Sequence, residues 1–126
     1  MIRRSVTVPF EFDGQQHVVT PDFRTVNALE QREGFSFGRL SEGIETSTAK
    51  VSDLAWLMHV ALTTAGHRHP NRTAITMEDC GQAIIDKPKG MQVASAFARE
   101  FIWETFTPGP SDPLESDGEE AEPGKA

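Results

Sequence analysis

The side chains best suited to metal binding or nucleophilic chemistry are two histidines and the single cysteine. His67 and His69 stand two residues apart in a polar stretch, and Cys80 follows eleven residues later. Imidazole and thiolate groups bind zinc, but this spacing matches no zinc pattern and has no carboxylate partner. Cys80 also falls in the first turn of a predicted helix, where the dipole lowers a thiol pKa, but its apolar spacing with Ala83 and Ile84 favours a small core residue. We therefore predict neither a metal site nor a catalytic cysteine.

Two pairs of carboxylates could be imagined as general acid and general base. Glu30 and Glu33 have the spacing of a solvated helix flank. Glu78 and Asp79 stand in the first turn of a predicted helix, where negative charge complements the helix dipole. Both pairs are more simply explained by structure, so the sequence predicts no catalytic residue, no cofactor and no enzymatic activity.

Aromatic residues are the stronger candidates for function. Trp56 and Trp103 fall near the borders of predicted apolar helix faces, where large aromatic side chains often anchor a protein partner. The alternative, that both tryptophans only close the core, stays open. The candidate partner-binding residues are Phe35, Phe37, Trp56, Trp103 and Phe106.

Length, composition and charge limit the class of protein. The 126 residues, 37% hydrophobic and 25% charged, predict one small soluble domain without a membrane span or an evident export signal. A single cysteine cannot form an intrachain disulfide, and a reducing cytoplasm fits best. Most of the net charge of -7 lies after residue 107, and the nearly neutral remainder offers no basic stripe for nucleic acid.

The C-terminal segment differs in composition from the rest. It contains prolines at 108, 110 and 113, six acidic residues and one large apolar residue, Leu114. Such a segment cannot bury enough apolar surface to order itself. The sequence therefore predicts one folded domain over residues 1–106 and a disordered acidic tail over residues 107–126.

A β-hairpin is predicted over about residues 5–19. Apolar residues alternate with polar ones on both sides of Asp13-Gly14, a dipeptide that favours a tight hairpin turn. Pro9 lacks an amide donor and would make the first strand an edge strand. Because an isolated hairpin is barely stable, its apolar face must pack on helices.

Caps and apolar periodicity divide residues 21–106 into four or five helices. The predicted N-caps are Thr20, Ser36, Ser52 and Thr76, the last in a capping box with Asp79. The first three helices are predicted to end at Gly34, Leu40 and Gly66. A loop from Gly43 to Thr48 is predicted after the second helix. The last helix is predicted to run from about Met91 to Phe106.

Apolar spacing also predicts the core. The first helix is expected to turn Phe23, Val26, Ala28 and Leu29 inward. The central core residues are expected to be Leu54, Leu57, Met58, Leu62, Phe97 and Phe101. The predicted fold class is α+β and mainly α-helical, with an N-terminal β-hairpin packed on a small bundle of four to five helices.

Several of these signals recur in one known order. They are Asp13-Gly14, the stretch from Thr20 to Glu30, Glu33 to Ser36, Ser52 to Met58 with Ala61-Leu62, and Ile75 to Gly81. Over roughly residues 12–106 the series resembles the tail assembly chaperones of long-tailed, siphovirus-like phages and gene transfer agents.

The resemblance implies a non-enzymatic assembly factor of the host cytoplasm that is absent from the mature virion. Its partners would be the tape-measure protein, which it binds and keeps soluble, and the tail-tube protein, which it helps to recruit. In this family a longer product often arises by ribosomal frameshifting, and Gly124-Lys125 is compatible with a slippery site. A homo-oligomer is left open.

Two other classes remain as alternatives. A structural head-tail connector or tail-completion protein of the virion would share the size and the helical content. A DNA-binding regulator is disfavoured, because Glu78, Asp79 and Asp86 on the candidate recognition helix would repel phosphates.

The composition of the tail makes a first prediction. A chain shortened to residues 1–106 should keep the thermal midpoint of the full-length protein, because residues 107–126 add almost no apolar surface. Limited proteolysis of the full chain should cut first within 107–126. Strong amide-exchange protection between Asp112 and Glu122 would contradict the prediction.

Overall fold

The computed structural model describes residues 5–66 and 75–107 of the chain. Within these ranges a β-hairpin is followed by five α-helices, which confirms the predicted fold class. The elements are β1 (Val6–Phe12), β2 (Gln15–Val19), α1 (Phe23–Glu30), α2 (Phe37–Glu45), α3 (Val51–Gly66), α4 (Met77–Asp86) and α5 (Gly90–Phe106). The predicted acidic tail from residue 108 onward, and the loop that carries His67 and His69, lie outside the described residues.

The hairpin turns at the predicted dipeptide. Asp13 and Gly14 have φ values of 56° and 72°, and positive φ at both central residues is what a type I′ turn requires. Phe12 pairs with Gln15 directly across the turn. Below it, the buried ring of His17 lies with Nε2 3.2 Å from the carbonyl oxygen of Phe12, so the ring donates and closes the turn from inside.

Pro9 lies where the register of the hairpin breaks. The antiparallel pairing shifts between Thr7 and Glu11, so that β1 holds extra residues there relative to β2. Proline cannot donate to a strand ladder and is tolerated at such irregularities. The break lets the remaining apolar residues of β1 keep pointing at the helices: Val6, Val8, Phe10 and Phe12 are all buried.

Helix α3 lies at the centre of the domain. It contacts α1, α4, α5 and strand β2. The predicted core residues are all confirmed as members of one buried cluster: Leu54, Leu57, Met58, Leu62, Phe97 and Phe101. The last two belong to α5, which also packs against β1, so α3 and α5 hold the hairpin between them.

Two of the four predicted N-caps are confirmed. The Ser36 hydroxyl accepts from the amide of Arg39 at 3.0 Å and starts α2. Thr76 and Asp79 form the predicted capping box at the start of α4, where each side chain accepts from the other residue's amide at 3.0 Å. Both caps satisfy amides that a helix start otherwise leaves without partners.

The start of α1 differs from the prediction. The N-cap is Asp22 rather than Thr20, and its carboxylate accepts from both the amide and the hydroxyl of Thr25 at 2.9 Å. The helix therefore starts two residues later than predicted. Thr25 and Leu29, four residues apart on one face, are buried, whereas Phe23, two residues before Thr25 and about 200° around the helix from it, is 80% exposed. The prediction that Phe23 faces inward is therefore wrong, whereas Val26 and Ala28 are partly buried against the core.

The helix ends near α2 also differ. Helix α1 ends at Glu30, and Gly34, with φ +87°, lies in the turn beyond it instead of directly after the helix. Helix α2 continues past Leu40 to Glu45, and Gly43 is buried inside it. A Cβ at Gly43 would come within 3.0 Å of the Cα of Ala49, so a glycine here permits close backbone packing instead of ending the helix.

The last two boundaries concern α3 and α5. Helix α3 begins at Val51, one residue before the predicted cap Ser52, and its first amides bond to the carbonyl of Lys50. Helix α5 begins at Gly90, where an added Cβ would collide with the backbone carbonyl of Ile84. The missing side chain therefore allows α5 to start directly against the end of α4.

The core makes a second prediction. Leu57→Ala and Phe101→Ala should each lower the free energy of unfolding by about 2–5 kcal/mol, because both side chains are fully buried and truncation leaves a cavity. The control is Ile85→Ala on α4, whose side chain is 67% exposed and should change stability by less than about 0.5 kcal/mol. Urea unfolding measures all three, and unchanged midpoints for both core variants would refute the core assignment.

Candidate functional site

Three of the candidate aromatic residues meet where α2 begins and α5 ends. The rings of Phe35 and Phe37 contact edge to face at 5.3 Å between centroids, and Phe37 contacts Phe106 in the same way at 5.1 Å. Phe37 is 9% exposed and belongs to the core, and Phe35 is half-buried. Phe106 is 57% exposed, so it alone of the three presents a large free surface.

Trp103 lies one helical turn before Phe106 and is 61% exposed. It follows the fully buried Phe101 by two residues, a rotation of about 200° around the helix, so it points away from the core. The sequence placed it at the border of the apolar face, and the structure places it well outside that face. Trp103 therefore does not close the core.

A residue that sequence analysis assigned to the core joins this surface. Phe23, at the first position of α1, shares a hollow of about 230 Å³ with Pro21, Val26 and Phe106. We call Phe23, Trp103 and Phe106 the aromatic patch, in which each side chain is more than half exposed. The sequence gives no clear signal for this, because an aromatic residue at the first position of a helix can face either the core or water.

Trp56 has a different environment. Its indole Nε1 donates to the carbonyl oxygen of Leu29 at 3.1 Å, which ties α3 to the end of α1. The guanidinium of Arg32 lies 5.4 Å from the ring centre, in a cation-π contact, and the ring of His59 lies 6.0 Å away. With its polar atom bonded to backbone and its ring half-buried, Trp56 holds two helices together and lies apart from the aromatic patch.

Cys80 is fully buried in the core, as its apolar spacing predicts. Burial, together with the negative charge of the neighbouring Asp79, raises the pKa of the thiol to about 12. A thiol with this pKa is protonated at neutral pH, and only the thiolate is nucleophilic or binds a metal. Cys80 in this environment is a packing residue.

The ionisable side chains do not converge on a reactive centre. No group of three or more potential ligands from histidine, cysteine, aspartate and glutamate occurs in the described ranges 5–66 and 75–107. His59 turns Nδ1 toward the carbonyl oxygen of Ile75 at 2.8 Å, so that nitrogen carries the proton. Asp79, which belongs to one of the two carboxylate pairs considered as an acid and base, accepts a hydrogen bond from the amide of Thr76 in the capping box of α4.

A polar hollow lies beside helix α2, apart from the aromatic patch. It measures about 510 Å³ and lies between the turn after α1, helix α2 and the start of α3. Its lining includes three basic and three acidic residues, so it offers neither a strong positive nor a strong negative field. These residues are Arg32, Arg39, Lys50, Glu33, Glu42 and Asp53.

Two buried polar residues escaped sequence analysis. Thr25 donates its hydroxyl to Asp22 and thereby reinforces the cap of α1. Glu104 on α5 is only 3% exposed although it carries a carboxyl group. Their positions inside helices of mixed composition give no sequence signal for burial.

No helix among the described residues has both the length and the apolar character needed to cross a membrane. Comparison of the chain with protein-family models, with curated proteins and with solved structures finds no match.

The aromatic patch is the feature of the described surface that best suits a binding function, since large exposed aromatic side chains are typical anchors of protein interfaces.

The environment of Cys80 makes a third prediction. In the folded protein at pH 7 a neutral maleimide should label Cys80 orders of magnitude more slowly than in denaturant, because the thiol is buried and protonated. The raised pKa favours the folded state below pH 9, and this contribution is lost as the pH rises toward 12. A Gln82→Cys, Cys80→Ser variant, with its thiol on the exposed side of α4, is the fast-labelling control, and equally fast native labelling of Cys80 would refute the assignment.

Proposed function

We propose that this protein is a tail assembly chaperone. It binds and solubilises the tape-measure protein of a long-tailed phage or gene transfer agent and helps to recruit tail-tube subunits. It acts in the host cytoplasm and is left out of the mature virion. The proposal rests on the series of motifs from Asp13 to Gly81 and on the aromatic patch of Phe23, Trp103 and Phe106.

The aromatic patch carries the argument. Three aromatic side chains that are more than half exposed lie at the adjoining ends of α1 and α5, and two of them line one hollow. Monomeric proteins seldom leave such side chains together in water unless something covers them. An amphipathic helix could lay its apolar face across the patch, with the hollow between Phe23 and Phe106 receiving one of its side chains.

The chemistry of the proposed client fits this surface. A long protein of amphipathic helices exposes apolar stripes that aggregate unless they are covered. Weak contacts repeated along such a client, each with an aromatic anchor, would cover it without fixing it permanently. No bond is made or broken in this process, so the function requires neither a nucleophile nor a cofactor.

The charge of the chain supports a protein client over nucleic acid. Nineteen acidic residues stand against twelve basic ones. Most of this acidic excess lies after residue 107, where it would repel a phosphate backbone, and the nearly neutral remainder offers nucleic acid no basic stripe. A client helix with basic residues beside its apolar stripe would be attracted by the acidic segment.

Co-expression with the tape-measure protein encoded in the same genome tests the proposal. The chain should raise the soluble fraction of that protein, and Trp103→Ala and Phe106→Ala should each reduce the effect because they remove exposed anchors. Ile85→Ala is the matched control, since its side chain is equally exposed but lies on α4, and it should keep full effect. Circular dichroism confirms that all variants are folded.

Two results would overturn the proposal. A tape-measure protein that is equally soluble without the chain would remove the chaperone role. The chain found in fixed stoichiometry in mature particles would instead identify it as a head-tail connector or tail-completion protein. Trp56→Ala is not a clean probe, because loss of its bond to Leu29 lowers stability as well.

A further inference from the structure

Helix α5 has a second face that nothing in the described chain covers. Five of its exposed residues recur at alternating intervals of four and three, the spacing at which a helix presents one stripe to a partner helix. They are Gln92, Ala96, Arg99, Trp103 and Phe106. The stripe is uneven along its length, with a small residue near its beginning and two aromatic residues at its end.

The beginning of the stripe borders a hollow. Ala96 and Arg99, with Ser95, form one wall, and the C-terminal end of α2 with the following loop forms the other. The hollow measures about 340 Å³, which falls within the ~300–1,000 Å³ of small-ligand sites and is ample for one aromatic ring. One helix thus presents projecting aromatic rings at one end and an open space at the other.

The types of residue at the two ends of the stripe suit pairing about a two-fold axis. If a second copy of α5 lies antiparallel to the first with the axis level with Phe101, Ala96 meets Phe106 of the second copy, and Arg99 meets Trp103. Each of these pairs is symmetric about position 101, so the same contacts form twice, as an isologous interface demands. A small residue then faces a large one, and a guanidinium faces an indole, the ring that best accepts a cation.

We propose that the protein forms a two-fold symmetric dimer through the outward stripe of α5, in which Phe106 of each copy enters the hollow beside Ala96 of the other. The flanks agree with this arrangement, because the hollow and Phe106 lie on the same side of α5, toward α2. When the two-fold axis is perpendicular to the plane that contains both α5 helices, the α2 side of each copy lies on the same side of the dimer. One helix from each copy makes a small interface, so the dimer is reversible and concentration-dependent.

The dimer accounts for the exposed aromatic residues independently of any client. It also competes with the client proposed above, since Trp103 and Phe106 serve both. A client helix therefore dissociates the dimer when it binds, and the dimer covers the aromatic residues while no client is present. Failure of one proposal leaves the other intact, because the dimer is measured with the purified chain alone.

Analytical ultracentrifugation of the full chain tests the dimer. The sedimentation coefficient should rise with concentration from the monomer value to the dimer value. Trp103→Ala and Ala96→Glu should each raise the dimer dissociation constant by about tenfold or more, through loss of an anchor and through a charge placed against Phe106. Ile85→Ala and Gln82→Glu on the exposed side of α4 are the matched controls and should leave it unchanged.

Cross-linking tests the register. Position 100 lies next to the proposed axis, so Glu100→Cys should join two copies efficiently through a short bismaleimide, whereas Gln82→Cys should not. The native Cys80 is buried and does not compete for the reagent. In the full chain, tryptophan emission should shift to the blue as the concentration rises, because the exposed Trp103 leaves water when the dimer forms.

A chain that stays monomeric at all concentrations would overturn the proposal. So would a dimer that Trp103→Ala leaves intact, or cross-linking at position 82 as efficient as at position 100.

Discussion

The burial of α3 on nearly every side is the constraint on which the domain depends. A single sixteen-residue helix contacts α1, α4, α5 and β2, and its leucines and Met58 are withdrawn from water almost completely. Among the other described elements only α5 is as long, since the hairpin has two strands and α1, α2 and α4 have ten residues or fewer. The remaining elements are arranged by the need to cover this helix.

The packing of α5 against α3 determines which residues of α5 remain exposed. Helix α5 covers one side of α3 with Phe97 and Phe101, and a helix long enough to do so has a second face that must point elsewhere. Trp103 and Phe106 lie near the end of that second face, and the small residue Ala96 lies nearer its beginning. This second face is mixed in character, since it carries Gln92 and Arg99 beside two residues of the aromatic patch.

The two tryptophans show why residue type alone does not reveal a role. Both stand near the border of an apolar stripe in the sequence. The indole of Trp56 finds a backbone carbonyl left open at the end of α1 and a guanidinium above its ring, so it becomes part of the framework. Trp103 has no comparable neighbour on the described surface and remains 61% exposed. The difference arises from the elements that pack beside each residue.

The sequence by itself determined the features that depend on near neighbours. The Asp13-Gly14 turn, the caps at Ser36 and Thr76, the buried stripe of α3 and the packing role of Cys80 follow from backbone conformation and periodicity within a few residues. Only the tertiary structure decided features that depend on distant ones. Gly43 lies inside a helix at a point where Ala49 approaches too closely for a Cβ, and Phe23 is exposed because α1 packs on the core through Thr25 and Leu29. The aromatic patch joins the start of α1 to the end of α5, eighty residues apart, and no local pattern records that contact, because it arises when both helices pack on α3.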